Sequence, residues 1–293
     1  MKGHTDTVLG VAFQPGGGSS SALLATGAMD HTVILWDVQT LSAPILATRL
    51  TDLEGEILWL FWHSSGQFLL AGCSDGRAAM WSATTKSLVQ YFVCGDSVTV
   101  GIWSHNEKKL ILGSNDGMVR VFSPKSGEVV ACPTGSVSPT ALCIVPIHPD
   151  AVVVGMEDGR LVIASLEKHK VVHELKDVHD QAIESISCHG SLGLMGCVSC
   201  DCVVSMWNCD TYTVRYLVRH DDGITRALWL GNMFLAGTLN GALLKWDGRQ
   251  EYSEETAVVF RGHQAAILDL RALTDKSVIT TSDDATLRVF SME

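Results

Sequence analysis

The sequence predicts an all-β fold assembled from seven copies of one unit of short antiparallel strands. Three observations carry this expectation. An acid in a tight turn, followed by an alternating apolar run that ends six residues later on a Trp, Phe or Ala, recurs at spacings of 39 to 45 residues. Each copy follows a short apolar run such as LLATG, FLLAG or AVVVG. Before that run lies another alternating segment such as VLGVAF or ILWLFW, and nothing between them has the period of a helix. The 293 residues are 46% hydrophobic and 18% charged, enough for a large core, and no shift in composition marks a linker between domains.

In chain order the turn positions are Asp30 in GAMDHTVILWD, Asp75 in GCSDGRAAMWS, Asp116 in GSNDGMVRVFS and Asp158 in GMEDGRLVIAS. Asp201 in VSCDCVVSMWN, Asn240 in GTLNGALLKWD and Asp284 in TSDDATLRVFS complete the series. Six residues beyond each stand Trp36, Trp81, Phe122, Ala164, Trp207, Trp246 and Phe290. Read alone, VILWD at 33 to 37 is a strand whose side chains alternate between two faces.

With its period, its GH dipeptides and its WD pairs, the chain resembles the WD40-repeat family over its whole length. The resemblance implies a seven-bladed propeller of four-stranded antiparallel blades, a single domain over 1–293. It also implies a buried polar chain in each complete blade. A GH histidine joins the turn acid to a hydroxyl on the second strand, and that hydroxyl meets the Trp of the third. Blade one has the full set in His4, Thr26, Asp30 and Trp36. Blade seven has His263, Thr280 and Asp284, with Phe290 in the place of the Trp. Blade five has His179, Asp201 and Trp207, but Cys197 stands where a hydroxyl is expected. Blade six keeps His220 and Trp246 while Ala236 and Asn240 break the chain. Blades two to four lack a GH, so their acids need another partner or are solvated, and those blades are expected to be less rigid.

In the WD40 family, residues preceding the first GH supply the outer strand of the last blade. Here only Met1 and Lys2 precede Gly3, and three residues follow Phe290. Either the seventh blade lacks its outer strand or the chain is a piece of a longer protein, and the hazard of an exposed edge favours the second. Two segments, DLEGEILWLFWHSSGQFLLAGCSDGRAAMW and GHQAAILDLRALTDKSVITTSDDATLRVF, resemble the angio-associated migratory cell protein family. That family includes a fungal member that acts as a chaperone for a large-subunit ribosomal protein.

The net charge is −11. By the WD40 resemblance, the loops leading into the blades and the turns between second and third strands share one face, and these segments hold the whole acidic excess. The residues expected to meet a partner there are Asp52, Glu54, Glu56, Asp96, Asp177, Asp180, Asp221, Asp222 and Asp283. An acidic surface would steer and hold a protein with a basic segment, a ribosomal protein by the resemblance, and argues against direct nucleic-acid binding. A solvated rim is the competing reading.

No apolar run approaches the ~20 residues of a membrane helix and the N-terminus has no signal-peptide core, so a cytoplasmic monomer without membrane insertion is expected. Nine cysteines, an odd number, fit a reducing compartment. Cys197, Cys200 and Cys202 suggest zinc, but they straddle a strand end and read better as small core residues, so no metal or cofactor is expected. PGGGSSS at 15 to 21 lacks the Lys of a phosphate loop and reads as a hairpin insertion. No nucleophile, base and acid stand at spacings the repeats leave unexplained, so no enzyme is expected. WDGR at 246 to 249 resembles the signature of cullin-ligase adaptors, with Arg249 as the recognition residue or an ordinary turn residue. A ligase substrate receptor and a signalling scaffold in migration are therefore the alternative functions.

Overall fold

The structure is a computed structural model that describes residues 3–16, 23–38, 45–250, 253, 256–284 and 286–292. Most of the Gly-rich stretch at 15 to 21 lies outside the described residues. Blade one consists of β1 (Val8–Phe13), β2 (Leu23–Ala28), β3 (Val33–Asp37) and β4 (Ile45–Leu50), and blade two of β5 (Ile57–Trp62), β6 (Phe68–Cys73), β7 (Arg77–Ser82) and β8 (Leu88–Val93). Blade three follows with β9 (Val98–Trp103), β10 (Leu110–Ser114), β11 (Met118–Ser123) and β12 (Glu128–Pro133). Blade four has β13 (Pro139–Ile144), β14 (Ala151–Met156), β15 (Leu161–Ser165) and β16 (Lys170–Leu175). Blade five has β17 (Ile183–His189), β18 (Leu194–Ser199), β19 (Val203–Asn208) and β20 (Val214–Arg219). Blade six has β21 (Ile224–Leu230), β22 (Met233–Thr238), β23 (Ala242–Asp247) and β24 (Val258–Arg261). Blade seven has β25 (Ile267–Thr274), β26 (Ser277–Ser282) and β27 (Leu287–Ser291).

Each sheet is an antiparallel meander in chain order. Six have four strands, and the seventh has three among the described residues, as the repeat arithmetic required. The fold is thus an all-β, seven-bladed propeller whose last blade ends at β27. The chain divides into two compact units, Met1–Ala131 and Cys132–Glu293, with the boundary inside β12.

Within each unit, the first strand of one blade packs on the second strand of the blade before it, and a recurrent glycine makes that approach possible. A Cβ on Gly27 would lie 2.5 Å from Ile57, one on Gly155 2.6 Å from Ile183, and one on Gly237 2.8 Å from Ile267. The first strands share a second device. Each skips one residue in its pairing at the same place, leaving Leu9, Leu58, Thr99, Thr140, Glu184, Thr225 and Leu268 bulged. At two of these bulges a threonine ties neighbouring blades together: Thr140 Oγ1 donates to the Ile183 carbonyl at 2.7 Å and Thr225 Oγ1 to that of Ile267 at 2.6 Å.

The turn acids are positioned by the backbone that follows them. The next residue has positive φ in all six turns where it is described. It is glycine in four, at Gly76, Gly117, Gly159 and Gly241, and His31 (φ 66°) and Cys202 (φ 68°) in the others. In six blades the loop leading into the first strand is also bonded to this turn, as in Met29 N–H to the Thr7 carbonyl at 2.9 Å and Asn115 N–H to that of Ser97 at 3.0 Å. Loop and turn therefore lie at the same end of each of those blades.

Candidate functional site

Blade one assembles the polar chain in full. His4 Nδ1 meets the Asp30 carboxylate at 3.0 Å and His4 Nε2 lies 2.8 Å from Thr26 Oγ1, to which Trp36 Nε1 donates at 2.8 Å. Asp30 also accepts the Thr5 backbone N–H at 2.9 Å and the Thr32 hydroxyl at 2.7 Å. Burial pushes the Asp30 carboxyl up, but the hydrogen bonds from Thr32, Thr5 and His4 outweigh it and hold the group at about 2, below its ordinary 3.8. Because the folded value is the lower one, the carboxylate stabilises the fold above pH ~4 and that contribution is lost as pH falls toward ~2; the difference is worth about 2 kcal/mol. Asp30→Asn is accordingly expected to be less stable at neutral pH and to show a flatter loss of stability between pH ~4 and ~2, measured by urea unfolding. An acid limb as steep as that of the wild type would contradict this role for Asp30.

Blade seven repeats the arrangement, with His263 Nδ1 3.0 Å from Asp284 and His263 Nε2 2.8 Å from Thr280 Oγ1. Thr286 adds a hydroxyl 2.6 Å from Asp284, and hydrogen bonds from Thr286 hold that carboxyl well below the carboxylate range. Phe290 closes the blade without a donor.

Blade five keeps its chain by moving the hydroxyl. His179 Nδ1 bonds Asp201 at 2.9 Å, but His179 Nε2 meets Ser205 Oγ at 2.7 Å and Trp207 Nε1 donates to the same oxygen at 2.8 Å. Ser205 on β19 is the Cα partner of Cys197 on β18, so the third strand supplies what the second lacks. Burial of His179 lowers its pKa and favours the neutral ring, which accepts a hydrogen bond from the Ser205 hydroxyl at Nε2 and donates one to Asp201 from Nδ1.

The blades without a GH use arginines that follow their turns, Arg77 on β7, Arg120 on β11 and Arg160 immediately before β15. Asp75 lies 3.3 Å from Arg77, Asp116 2.5 Å from Arg120 and Asp158 2.7 Å from Arg160. The Arg120 guanidinium holds the Asp116 carboxyl below its usual range. These acids are thus partnered rather than solvated. In blade two Trp81 Nε1 donates to Asp52 Oδ2 at 2.7 Å, so Asp52 takes the acceptor role that Thr26 plays in blade one. Blade six is rewired: Trp246 Nε1 donates to the Ser253 carbonyl at 2.9 Å, and His220 Nδ1 accepts the Asp222 backbone N–H at 3.2 Å.

These bonds sort the nine acids expected to meet a partner. Asp52 is half-buried on Trp81, Glu54 pairs with Arg77 at 3.1 Å, and Asp222 accepts the Asn240 backbone N–H at 2.6 Å. Glu56 is half-buried beside Ser74, whose hydroxyl accepts the Glu56 backbone N–H. Asp96, Asp177, Asp180, Asp221 and Asp283 are exposed, and among the described residues none of the five has a cationic nitrogen within 4.0 Å. Asp96 belongs to the first compact unit and the other four to the second.

Two alternative sites take on other roles. Cys197 is fully buried opposite Ser205, while the Cys200 thiol points to Glu184 and that of Cys202 to the Cys200 carbonyl, so the three thiols do not converge. Among the described residues no group of three or more His, Cys, Asp and Glu is placed to hold a metal. Arg249 is forked onto Asp247, at 2.7 and 3.0 Å, as a turn residue. No helix of the described residues is long and apolar enough to cross a membrane.

The chain carries WD40 repeats, with the His, acid, hydroxyl and Trp chain complete in blades one and five, and WD40 propellers in general act as interaction scaffolds. The WD domain, G-beta repeat family matches residues 1–37, 47–82 and 254–291. The chain is 26% identical to the angio-associated migratory cell protein of Homo sapiens, an alignment covering 99% of this chain and 69% of that protein. Among solved structures it is similar to Chaetomium thermophilum Sqt1 bound to the N-terminus of ribosomal protein L10, with a TM-score of 0.85 and 19% identity over 99% of this chain and 85% of that one. It is also similar to Saccharomyces cerevisiae Sqt1, with a TM-score of 0.75 and 20% identity over 98% and 96% of the two chains. At those identities the structural likeness concerns the fold.

Proposed function

We propose that the chain is a non-catalytic scaffold whose acid-rich loops capture a basic, extended segment of a client, and that the client is a newly made large-subunit ribosomal protein. The observation that carries this reading is the exposed carboxylates without a cationic neighbour among the described residues, Asp177, Asp180, Asp221 and Asp283 in the second compact unit and, by itself, Asp96 in the first. The net charge of −11 supports it, as does the likeness in fold to a propeller bound to the N-terminus of ribosomal protein L10. The proposed mechanism is electrostatic. The Asp201 carboxylate accepts the Asp180 backbone N–H at 3.0 Å and so holds that acidic loop in place; a disordered basic segment would meet it at low reorganisation cost and have its charge neutralised until delivery.

A pulldown from cytosolic lysate at low and high salt tests this, comparing wild type with a variant carrying Lys at Asp96, Asp177, Asp180 and Asp221. Asp52 stays in place because Trp81 depends on it. Retention of a basic ribosomal protein by wild type alone, and at low salt, is the expected outcome. Capture of the same proteins by both would reduce these acids to a solvated rim.

A further inference from the structure

Among the outer strands of the six four-stranded blades, β8 of blade two is the one without a charged side chain. The others carry Arg49, Glu128, Lys170 with Glu174, Arg215 with Arg219, and Arg261. Charges on an edge strand keep it from pairing with another chain, and LVQYFV has none. It exposes Val89, Tyr91 and Val93 instead, at 50%, 36% and 64%. Tyr91 is held in place, its hydroxyl donating to the Asp52 carbonyl at 2.6 Å and its ring 5.7 Å from the Arg77 guanidinium. The pairing with β7 decides which main-chain groups of this edge are free. Cys94 N–H donates to the Gly76 carbonyl at 2.8 Å, and Phe92 faces Ala78 two residues further along. Bonding alternates along an antiparallel ladder, so residues 92 and 94 turn their N–H and C=O toward β7 while Tyr91 and Val93 turn theirs outward.

We propose that β8 is a dimerisation edge: it pairs with β8 of a second copy of this chain, antiparallel about a two-fold axis at Tyr91. That register sets Tyr91 against Tyr91 and Val89 against Val93, aromatic and β-branched pairs that favour a ladder. At each end it brings Lys86 of one copy across from Asp96 of the other. Both residues are exposed, and among the described residues neither has an opposite charge within 4.0 Å. A register centred on Gln90 sets Asp96 against Thr84 and leaves both charges unmatched. The occupant is a second copy because the charges flanking β8 complement themselves under the two-fold. The pairing uses up the edge, so association stops at two. One six-residue strand from each copy makes a small interface, and the dimer is accordingly weak and reversible. Asp96 thereby has a role apart from the four exposed acids of the second compact unit, and the dimer does not depend on capture of a client.

Sedimentation velocity of the full chain across about 1 to 200 μM tests this, and a reversible monomer–dimer equilibrium with a Kd of about 10–100 μM is expected. Val93→Lys, at the most exposed position of the strand, is expected to weaken it at least about tenfold without changing urea unfolding. Lys86→Asp and Asp96→Lys are each expected to weaken it about fivefold, because each sets like charges across from one another at both ends. The variant carrying both changes is expected to regain most of the affinity. Hydrogen exchange of the Tyr91 and Val93 amides is expected to slow as the concentration rises. A monomer throughout the range, open-ended aggregation, a dimer indifferent to Val93→Lys, or a double charge reversal no better than the single ones would each overturn the proposal.

Discussion

Ser205→Ala is expected to destabilise the chain by about 3 kcal/mol, although it removes one oxygen from a residue that belongs to no recognisable motif position. The Ser205 hydroxyl accepts from Trp207 Nε1 and donates to His179 Nε2, and all three groups are buried. Its loss leaves a buried donor and a buried acceptor without partners, each worth about 1–3 kcal/mol. The prediction has an internal rescue. Cys197 faces Ser205 across the β18–β19 ladder, as Thr26 faces Ile34 in blade one. Cys197→Thr in the Ser205→Ala background is therefore expected to restore most of the lost stability by returning the hydroxyl to the second strand. Urea unfolding of the two single variants and the double variant measures the coupling. A Ser205→Ala loss below ~1 kcal/mol, or a double variant no better than the single, would contradict the account of blade five.

Gly72→Ala is expected to cost about 3 kcal/mol for the opposite reason, too much volume rather than too little bonding. A Cβ at Gly72 would lie 2.2 to 2.4 Å from three atoms of the Trp59 indole. The ring has nowhere to retreat. Its Nε1 donates to the Val98 carbonyl at 2.9 Å, it stacks on Phe61 at 5.2 Å between centroids, and on its other side a Cβ at Gly101 would already lie within 2.5 Å. Overpacking against a pinned aromatic costs about 1–3 kcal/mol and more where neighbours cannot shift. Trp59→Leu in the same background is expected to relieve much of the penalty, so the two substitutions should be strongly non-additive. Thermal unfolding of the four members of that cycle decides it, and simple additivity would mean that Trp59 is free to move.

Periodicity made the architecture legible. Seven turn positions 39 to 45 residues apart located the hairpin between the second and third strands of each blade, and the count of residues around blade seven anticipated its three strands. The complete polar chain of blade one could also be read residue by residue, because its four members follow the motif. What escaped were groups that act across a ladder. Ser205 carries no motif label, and only its place two residues before Trp207, on the same face of the strand, hints at its role. Asp52 reads as a surface acid in a loop, yet Trp81 needs it as an acceptor. Arg77 and Arg160 stand directly after the DG turns and could have been read as partners of Asp75 and Asp158, whereas Arg120 reaches Asp116 from two residues further along. The same limit applied to the acidic loops. Sequence marked nine carboxylates, and only the fold separates Asp52, Glu54 and Asp222, which bond to the protein's own groups, and the half-buried Glu56 from Asp96, Asp177, Asp180, Asp221 and Asp283, which face solvent without a cation.

The most direct test of the central claim is a titration of the full chain with an N-terminal peptide of a ribosomal protein L10, read by anisotropy at low salt and at about 0.5 M salt. The same titration is run on a variant with Asn at Asp96, Asp177, Asp180, Asp221 and Asp283. The account predicts saturable binding that weakens at least about tenfold with salt in the wild type, and weak, nearly salt-independent binding in the variant. Binding that is indifferent to salt, or unchanged in the variant, would contradict it.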